Sequence, residues 1–377
     1  MPSAIEIVEA IHATPCRIVL AVSGGGSGAL ASLLIAPGAS RTIFEALVPY
    51  SENAMVDFLG GRPDQFCSPQ AARAMAMAAF QRACRYGGTA DAVAGLSCSA
   101  SLATDREKLG AHRAHVALQS ADTTVTWSVE LEKGWRTRAE EEELVCRLVL
   151  NAVAEACGLE ARLDPGLRET EHVERSAVVA PRPWRDLLLG LTERVHQGGR
   201  AGSADTEVRA VFPGAFNPLH AGHRGMARIA EEILSTPVEF EISILNVDKP
   251  PLDYHEIELR TRQFLAEESV WLTRSPTFEE KSRLFPGATF VVGSDTLARI
   301  ADPRYYNNDA DACRLALERI AARDCRFLVF GRNMNGRYVH LANLDLPEPL
   351  RPICEEVPEE RFRADISSTE VRRTQGA

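Results

Sequence analysis

The chain is expected to fold as an α/β protein of two domains, the second built on a parallel, Rossmann-like sheet. Three observations lead there. Its 377 residues exceed what one hydrophobic core usually holds. Short runs rich in β-branched residues alternate with apolar residues at helical spacing, the pattern of strands joined by crossover helices. A charged stretch bearing prolines and glycines interrupts that alternation between residues 164 and 206.

The elements follow in order. RIVLAV, Arg17 to Val22, has the continuous apolar character of a buried strand, and SGGGSG at Ser23 to Gly28 opens a small-residue helix that ends before Pro37-Gly38. Helical patterns cover Ser68 to Tyr86 and Glu140 to Cys157, with strands at Ala114 to Leu118 and Thr123 to Leu131 between them. These place a first α/β domain over 1–163. Pro165, Pro181, Pro183 and HQGGRAGSAD mark a linker region over 164–206, with one short amphipathic helix around Trp184 to Val195. The second domain, 207–377, starts with a strand at Val208 to Phe212. Met226, Ile229, Ala230, Ile233 and Leu234 then form a helical stripe, and Val238, Phe240, Ile242 and Ile244 alternate as a strand does, completing a βαβ unit. Strands at Thr289 to Val292 and Arg326 to Phe330 extend the sheet, and its ligand site is expected at the strands' carboxyl ends.

Composition excludes some function classes. A net charge of −10 and a pI near 5.5 make a nucleic-acid partner a poor expectation, because an acidic surface repels phosphate backbones. The apolar runs are short and broken by charge, and the first residues are acidic where a signal peptide is basic, so the expected location is the cytoplasm with no membrane partner. Nine scattered cysteines without a Cys-x-x-Cys pair are expected to be reduced thiols, and no metal-ligand set is apparent. His112 and His115 are expected at the surface, and Glu140 to Glu143 as the acidic first turn of a helix. Only four of the 42 basic residues are lysines: Lys108, Lys133, Lys249 and Lys281.

The second domain holds the densest chemistry. In FPGAFNPLHAGH, Gly214 permits a tight turn, Pro218 fixes the loop, and the helix that follows aims free N–H groups and its positive dipole end at a ligand, for which phosphate is the natural guest. His220 and His223, three residues apart, can face one spot and donate to phosphate oxygens. Two histidines alone are an ordinary surface pair. A second element near the C-terminus, ISSTEVR, adds capping hydroxyls at Ser367, Ser368 and Thr369 and a fork-shaped cation at Arg372. By itself it is only a helix cap. Together, GAFNPLHAGH and ISSTEVR resemble the nucleotidyltransferase superfamily with the HxGH signature. The nearest branch is the nicotinate or nicotinamide mononucleotide adenylyltransferases, which the stretches DKPP at Asp248, FVVGSD at Phe290 and FLVFGR at Phe327 also resemble.

That resemblance implies transfer of AMP from ATP, with Mg²⁺ as partner, to a mononucleotide 5′-phosphate, and release of pyrophosphate. It assigns His220, His223 and Arg372 to catalysis. Nucleotide binding falls to Gly214, Ala215, Phe216, Asn217, Gly293, Asp295, Ser367, Ser368 and Thr369, and the acceptor phosphate to Lys249. Departures leave the acceptor and the base open. Tyr305 and Tyr306 stand where the adenylyltransferases carry a tryptophan, as ring-stacking or simply packing residues, and FRAD replaces the element that precedes the serines in cytidylyltransferases. ATP or CTP with another phosphorylated acceptor, or a nucleotide-binding regulator without turnover, are the alternatives. Class I aminoacyl-tRNA synthetases share the histidine signature but need a lysine-rich loop that this chain lacks.

In the first domain Gly24, Gly26 and Ala29, with Glu45 further on, satisfy a loose dinucleotide pattern. PGAS at Pro37 and YSENA at Tyr50 with Leu59-Gly60 match better: they resemble the CinA-type nicotinamide mononucleotide deamidase domain over about residues 5–160. By that resemblance Ser23 falls on the nucleophile and Tyr50 on the family's tyrosine, while Met55 replaces the family's lysine. A thioether cannot take the serine's proton, so this site is expected to be vestigial. A homodimer is the mild expectation that the same resemblance brings.

Overall fold

The computed structural model describes residues 2–87, 89–105, 108–199, 208–247, 251–334 and 337–363. It is a mixed α/β protein that divides into two compact units, Met1–Leu189 with Asp248–Glu256, and Gly190–Val247 with Ile257–Ala377.

The first unit contains α1 (Ala4–His12), β1 (Arg17–Ser23), α2 (Ser27–Ile35), α3 (Ala39–Thr42), β2 (Ile43–Leu47), α4 (Glu52–Leu59), α5 (Pro69–Arg85), β3 (Val93–Ser101), β4 (His112–Gln119), β5 (Thr123–Leu131), α6 (Arg138–Ala156), β6 (Glu174–Val179) and α7 (Arg182–Leu188). Its sheet runs β2-β1-β3-β4-β5-β6, with β2, β1 and β3 parallel and the rest antiparallel. β3 is built of small residues for a packing reason. A side chain on Gly95 would begin 2.1 Å from the Ala76 carbonyl, so α5 lies directly on the strand. The strand's buried hydroxyls are satisfied by backbone: Ser97 donates to Ala72 O at 2.6 Å and Ser99 to Phe66 O at 2.7 Å.

The second unit contains β7 (Arg194–Gln197), β8 (Ala210–Pro213), α8 (Ala221–Leu234), β9 (Glu239–Ser243), α9 (Tyr254–Thr261, whose last turn belongs here), β10 (Val270–Thr273), α10 (Phe278–Leu284), β11 (Thr289–Gly293), α11 (Ser294–Ile300), α12 (Ala310–Ala321), β12 (Arg326–Phe330), the short pair β13 (Arg332–Met334) and β14 (Arg337–Val339), and β15 (Cys354–Val357). Sheet order is β15-β12-β11-β8-β9-β10-β7, parallel except for β7. Phe290, Phe327, Val329 and Leu317 anchor the core on one face.

Three expectations need correction. The stretch expected as a linker is folded over much of its length: β6 closes one edge of the first sheet, and β7 pairs antiparallel with β10 at an edge of the second. The helix expected through Val195 stops at Leu188 because Gly190, at φ 73°, ends it and the next residues gain ladder hydrogen bonds instead. His112 and His115 are buried, at 8% and 7% exposure, because they lie three residues apart on opposite faces of β4 and both faces of that strand are covered. His112 Nδ1 lies 2.7 Å from Glu141, and His115 Nδ1 lies 2.9 Å from the Ser128 hydroxyl. Among the described residues no helix is long and apolar enough to cross a membrane.

Candidate functional site

From β8 the chain winds through β9 to β10 on one side and then crosses to β11 on the other side of β8, so a crevice opens at the carboxyl ends of β8 and β11. The segments that follow β8, β11 and β12 all emerge there. This brings Gly214–His223, Gly293–Asp295 and Gly331–Arg332 to one edge of the sheet.

The loop after β8 is held from several directions. Gly214 N–H donates to Glu241 O at 2.9 Å. Phe216 is buried with φ 44°, a left-handed conformation that costs an L-residue on the order of 1 kcal/mol. It is kept there by edge-on contacts with Phe212, Phe240, Phe264 and His223, ring centres 5.1–5.5 Å away. The Asn217–Pro218 bond is cis. Gln263 supplies both halves of an amide clamp, donating to Phe216 O at 2.9 Å and accepting from Leu219 N–H at 2.8 Å, and Arg260 donates to Ala215 O at 3.2 Å. Neither Gln263 nor Arg260 has a signal in the sequence that marks it for this task.

His220 is the N-cap residue of α8, and His223 sits in its first turn. Their rings stack at 3.7 Å with 25° between planes. The His220 backbone N–H donates to His223 Nδ1 at 3.2 Å, which places the His223 proton on Nε2. Burial, then the neighbouring His220 and Arg332, push the His223 pKa down to about 3; burial and Arg332 lower that of His220. Both imidazoles are therefore neutral near pH 7 and act as N–H donors. His220 is only 9% exposed, and neither ring nitrogen has a hydrogen-bond partner among the described residues. A buried, unsatisfied imidazole at a helix N-terminus is costly, and an anionic acceptor there would relieve it.

Gly293 and Asp295 lie where expected, at the end of β11, but Asp295 is engaged: its Oδ1 is 3.5 Å from Arg332 Nε. Arg332 itself was missed as a site residue, although it lies in the FLVFGR stretch. Tyr306 packs into the core, where burial pushes its hydroxyl up to about 12, and Tyr305 is held by Arg299 at 3.1 Å. Lys249, Ser367, Ser368, Thr369 and Arg372 lie outside the described residues. The described chain ends nearby: a side chain on Gly225 of α8 would begin 2.6 Å from the Phe362 ring, which also meets Phe330 edge-on. Among the described residues no three His, Cys, Asp or Glu side chains converge as a metal-binding group.

In the first unit the Ser23 hydroxyl, at the end of β1, donates to Pro49 O at 3.0 Å. Tyr50 is 68% exposed, whereas Met55, inside α4, is 2% exposed among Ala21, Leu59 and Met75. Lys108, the first lysine of the chain, donates to Ser101 Oγ and Leu102 O at 2.9 and 2.8 Å. The glycine turn is filled from within. Glu142 of α6 accepts from Gly26 N–H at 3.0 Å, Gly28 N–H at 3.3 Å and the Ser27 hydroxyl at 2.8 Å, a carboxylate in the place of an external anion. Glu45, the partner in the dinucleotide pattern, is bound to Arg82.

Fold and site thus define a two-unit α/β protein whose second unit presents a neutral imidazole pair at a sheet switch point. Solved structures similar to part of this chain include the competence/damage inducible protein CihA from Agrobacterium tumefaciens, 19% identical over 41% of this chain and 97% of that one, TM-score 0.35. A competence-damaged protein (CinA) superfamily protein from Escherichia coli is 15% identical over 41% and 88% of the two chains, TM-score 0.32. A competence or damage-inducible protein from Enterobacter asburiae is 17% identical over 42% and 98%, TM-score 0.34. These similarities fall in the N-terminal half. No family model and no curated protein matches the chain.

Proposed function

We propose that the second unit is an adenylyltransferase that moves AMP from ATP to the 5′-phosphate of nicotinate or nicotinamide mononucleotide. An acceptor phosphate oxygen forms a bond to the α-phosphorus, the bond from that phosphorus to the β-bridging oxygen breaks, and pyrophosphate leaves with the electron pair. No protein nucleophile is required, because positioning and charge stabilisation dominate such transfers. The observation that carries the reading is His220: two buried ring nitrogens without partners at the N-terminus of α8, beside a donor-ready His223. Both imidazoles donate hydrogen bonds to the triphosphate as charge builds on the leaving group. By the resemblance Gly293 and Asp295, at the end of β11, meet the nucleoside, and Mg²⁺ carried by the triphosphate would supply further charge neutralisation. The ISSTEVR element supplies further donors by its resemblance.

In the same proposal the first unit keeps a deamidase-like frame without amidase chemistry. Met55, in an apolar cluster, offers no proton acceptor to Ser23, and Lys108 is tied to the end of β3. The test is pyrophosphate release by the full chain offered ATP or CTP with a panel of phosphorylated acceptors, including both pyridine mononucleotides. Transfer to a pyridine mononucleotide is expected, and His220→Ala should lower kcat about a hundredfold or more. Activity within a few-fold of the parent would remove the basis of the reading.

A further inference from the structure

Arg332 opens β13 one residue after β12 ends, so it enters the crevice from the strand next to β11. Its stem crosses Gly293 closely: a Cβ there would begin 3.1 Å from Arg332 Cγ and 2.4 Å from Asp295 Oδ1. The glycine is therefore required for Asp295 to fold back onto the arginine. Their contact, Nε to Oδ1 at 3.5 Å, is longer than a charge-assisted hydrogen bond, and the Asp295 side chain is 40% exposed. Such a pair is weak and readily exchanged. β12, β11 and β8 are neighbours in the sheet, so Arg332 shares the crevice at their carboxyl ends with His220 and His223, and its charge bears on both rings.

We propose that Arg332 is a polyphosphate ligand of the histidine site, and that Asp295 holds it until the anion arrives. Binding exchanges the carboxylate for phosphate oxygens and releases Asp295 toward the nucleoside end of the crevice. The donor set fits this chemistry. Two neutral imidazole N–H groups and the α8 N-terminus supply hydrogen bonds without full charge, and a guanidinium supplies the charge and a bidentate fork. The inference rests on reading the histidine pair as a phosphate site, but it does not require turnover.

The experiment uses the full chain and inorganic tripolyphosphate, with affinity from calorimetry and the His220 and His223 ring signals followed by NMR. Tripolyphosphate is expected to bind and shift both rings. Arg332→Gln should weaken binding at least tenfold and flatten its salt dependence, Arg332→Lys should recover part of the loss, and Asp295→Asn should tighten binding several-fold because the competing carboxylate is gone. Arg332→Gln binding within twofold of the parent, while His220→Ala loses binding, would overturn the assignment and leave the phosphate site standing. Weaker binding by Asp295→Asn would overturn the exchange. Arg332-dependent binding by a chain that transfers no nucleotide would sink the proposed reaction and leave this inference intact. Ring signals that do not respond to tripolyphosphate would overturn both.

Discussion

Lys281 and Glu241 form an ion pair deep in the second unit, and removing the lysine tests how the candidate site is supported. Lys281 is 5% exposed and Glu241 is fully buried. All three ammonium donors are used: the two Glu241 oxygens at 2.7 and 2.8 Å and Ser275 O at 2.7 Å. Lys281→Met leaves the Glu241 carboxylate in the interior, still accepting from the Thr273 hydroxyl but without its counter-charge. An uncompensated buried charge of this kind costs about 3–5 kcal/mol. That is a large share of the ~5–15 kcal/mol that holds a domain together. Adding Glu241→Leu removes the charge and leaves the Thr273 hydroxyl to be satisfied, at about 1–3 kcal/mol, while the Ser275 carbonyl loses its donor in both variants. The double variant should therefore be more stable than the single one by roughly 2 kcal/mol, from those two ranges. Urea titration read by hydrogen exchange in peptides covering β9 and β10 isolates this unit's transition. A loss below about 1 kcal/mol for Lys281→Met, or a double variant less stable than the single, would refute the reasoning.

Three further outcomes follow from the same geometry. Glu142→Ala strips the α2 N-terminus of its internal carboxylate, and the first unit should lose about 2 kcal/mol in thermal or urea unfolding. Hydrogen bonds from Ser27 and the glycine N–H groups outweigh burial and lower the Glu142 pKa, so this contribution is present above the unfolded-state carboxylate pKa and fades as pH falls through the folded one. Met55→Lys places an ammonium among Ala21, Leu59 and Met75 and should destabilise the first unit by about 3 kcal/mol without restoring ammonia release from nicotinamide mononucleotide; robust release would show that the site is not vestigial. The depressed His223 pKa means the unfolded chain binds that proton first. Its stabilisation is complete above the unfolded value of 6.5 and is lost as pH falls toward about 3, and NMR of the ring should show the Nε2–H tautomer throughout the neutral range.

The sequence carried the repeating parts of this architecture because burial leaves a period. β1, α5, α6, α8, β9, β11 and β12 fall close to their expected places, since each buries a continuous run or a helical stripe. β3 was harder to see. VAGLSCSAS has little hydrophobic mass, and only the nearness of α5 explains why small residues and buried hydroxyls make a central strand there. His112, Glu141 and Glu142 show the same limit. His112 is expected at the surface and the two glutamates only as part of an acidic helix start, yet each has a long-range partner across the fold.

In the second unit the sequence by itself determined the motif: a glycine turn, two histidines at helical spacing and a helix start, all local properties of ten or so adjacent residues. Only the tertiary structure decided what surrounds it. Strand order brings the ends of β8, β11 and β12 together, and so adds Arg332, sets it against Asp295, and recruits Gln263 and Arg260 to hold the loop. The physical reason is range. Turn and helix-cap chemistry act over a few residues and are written along the chain, whereas the charge and desolvation that make the imidazoles neutral donors come from side chains tens to more than a hundred positions away, which nothing but folding makes neighbours.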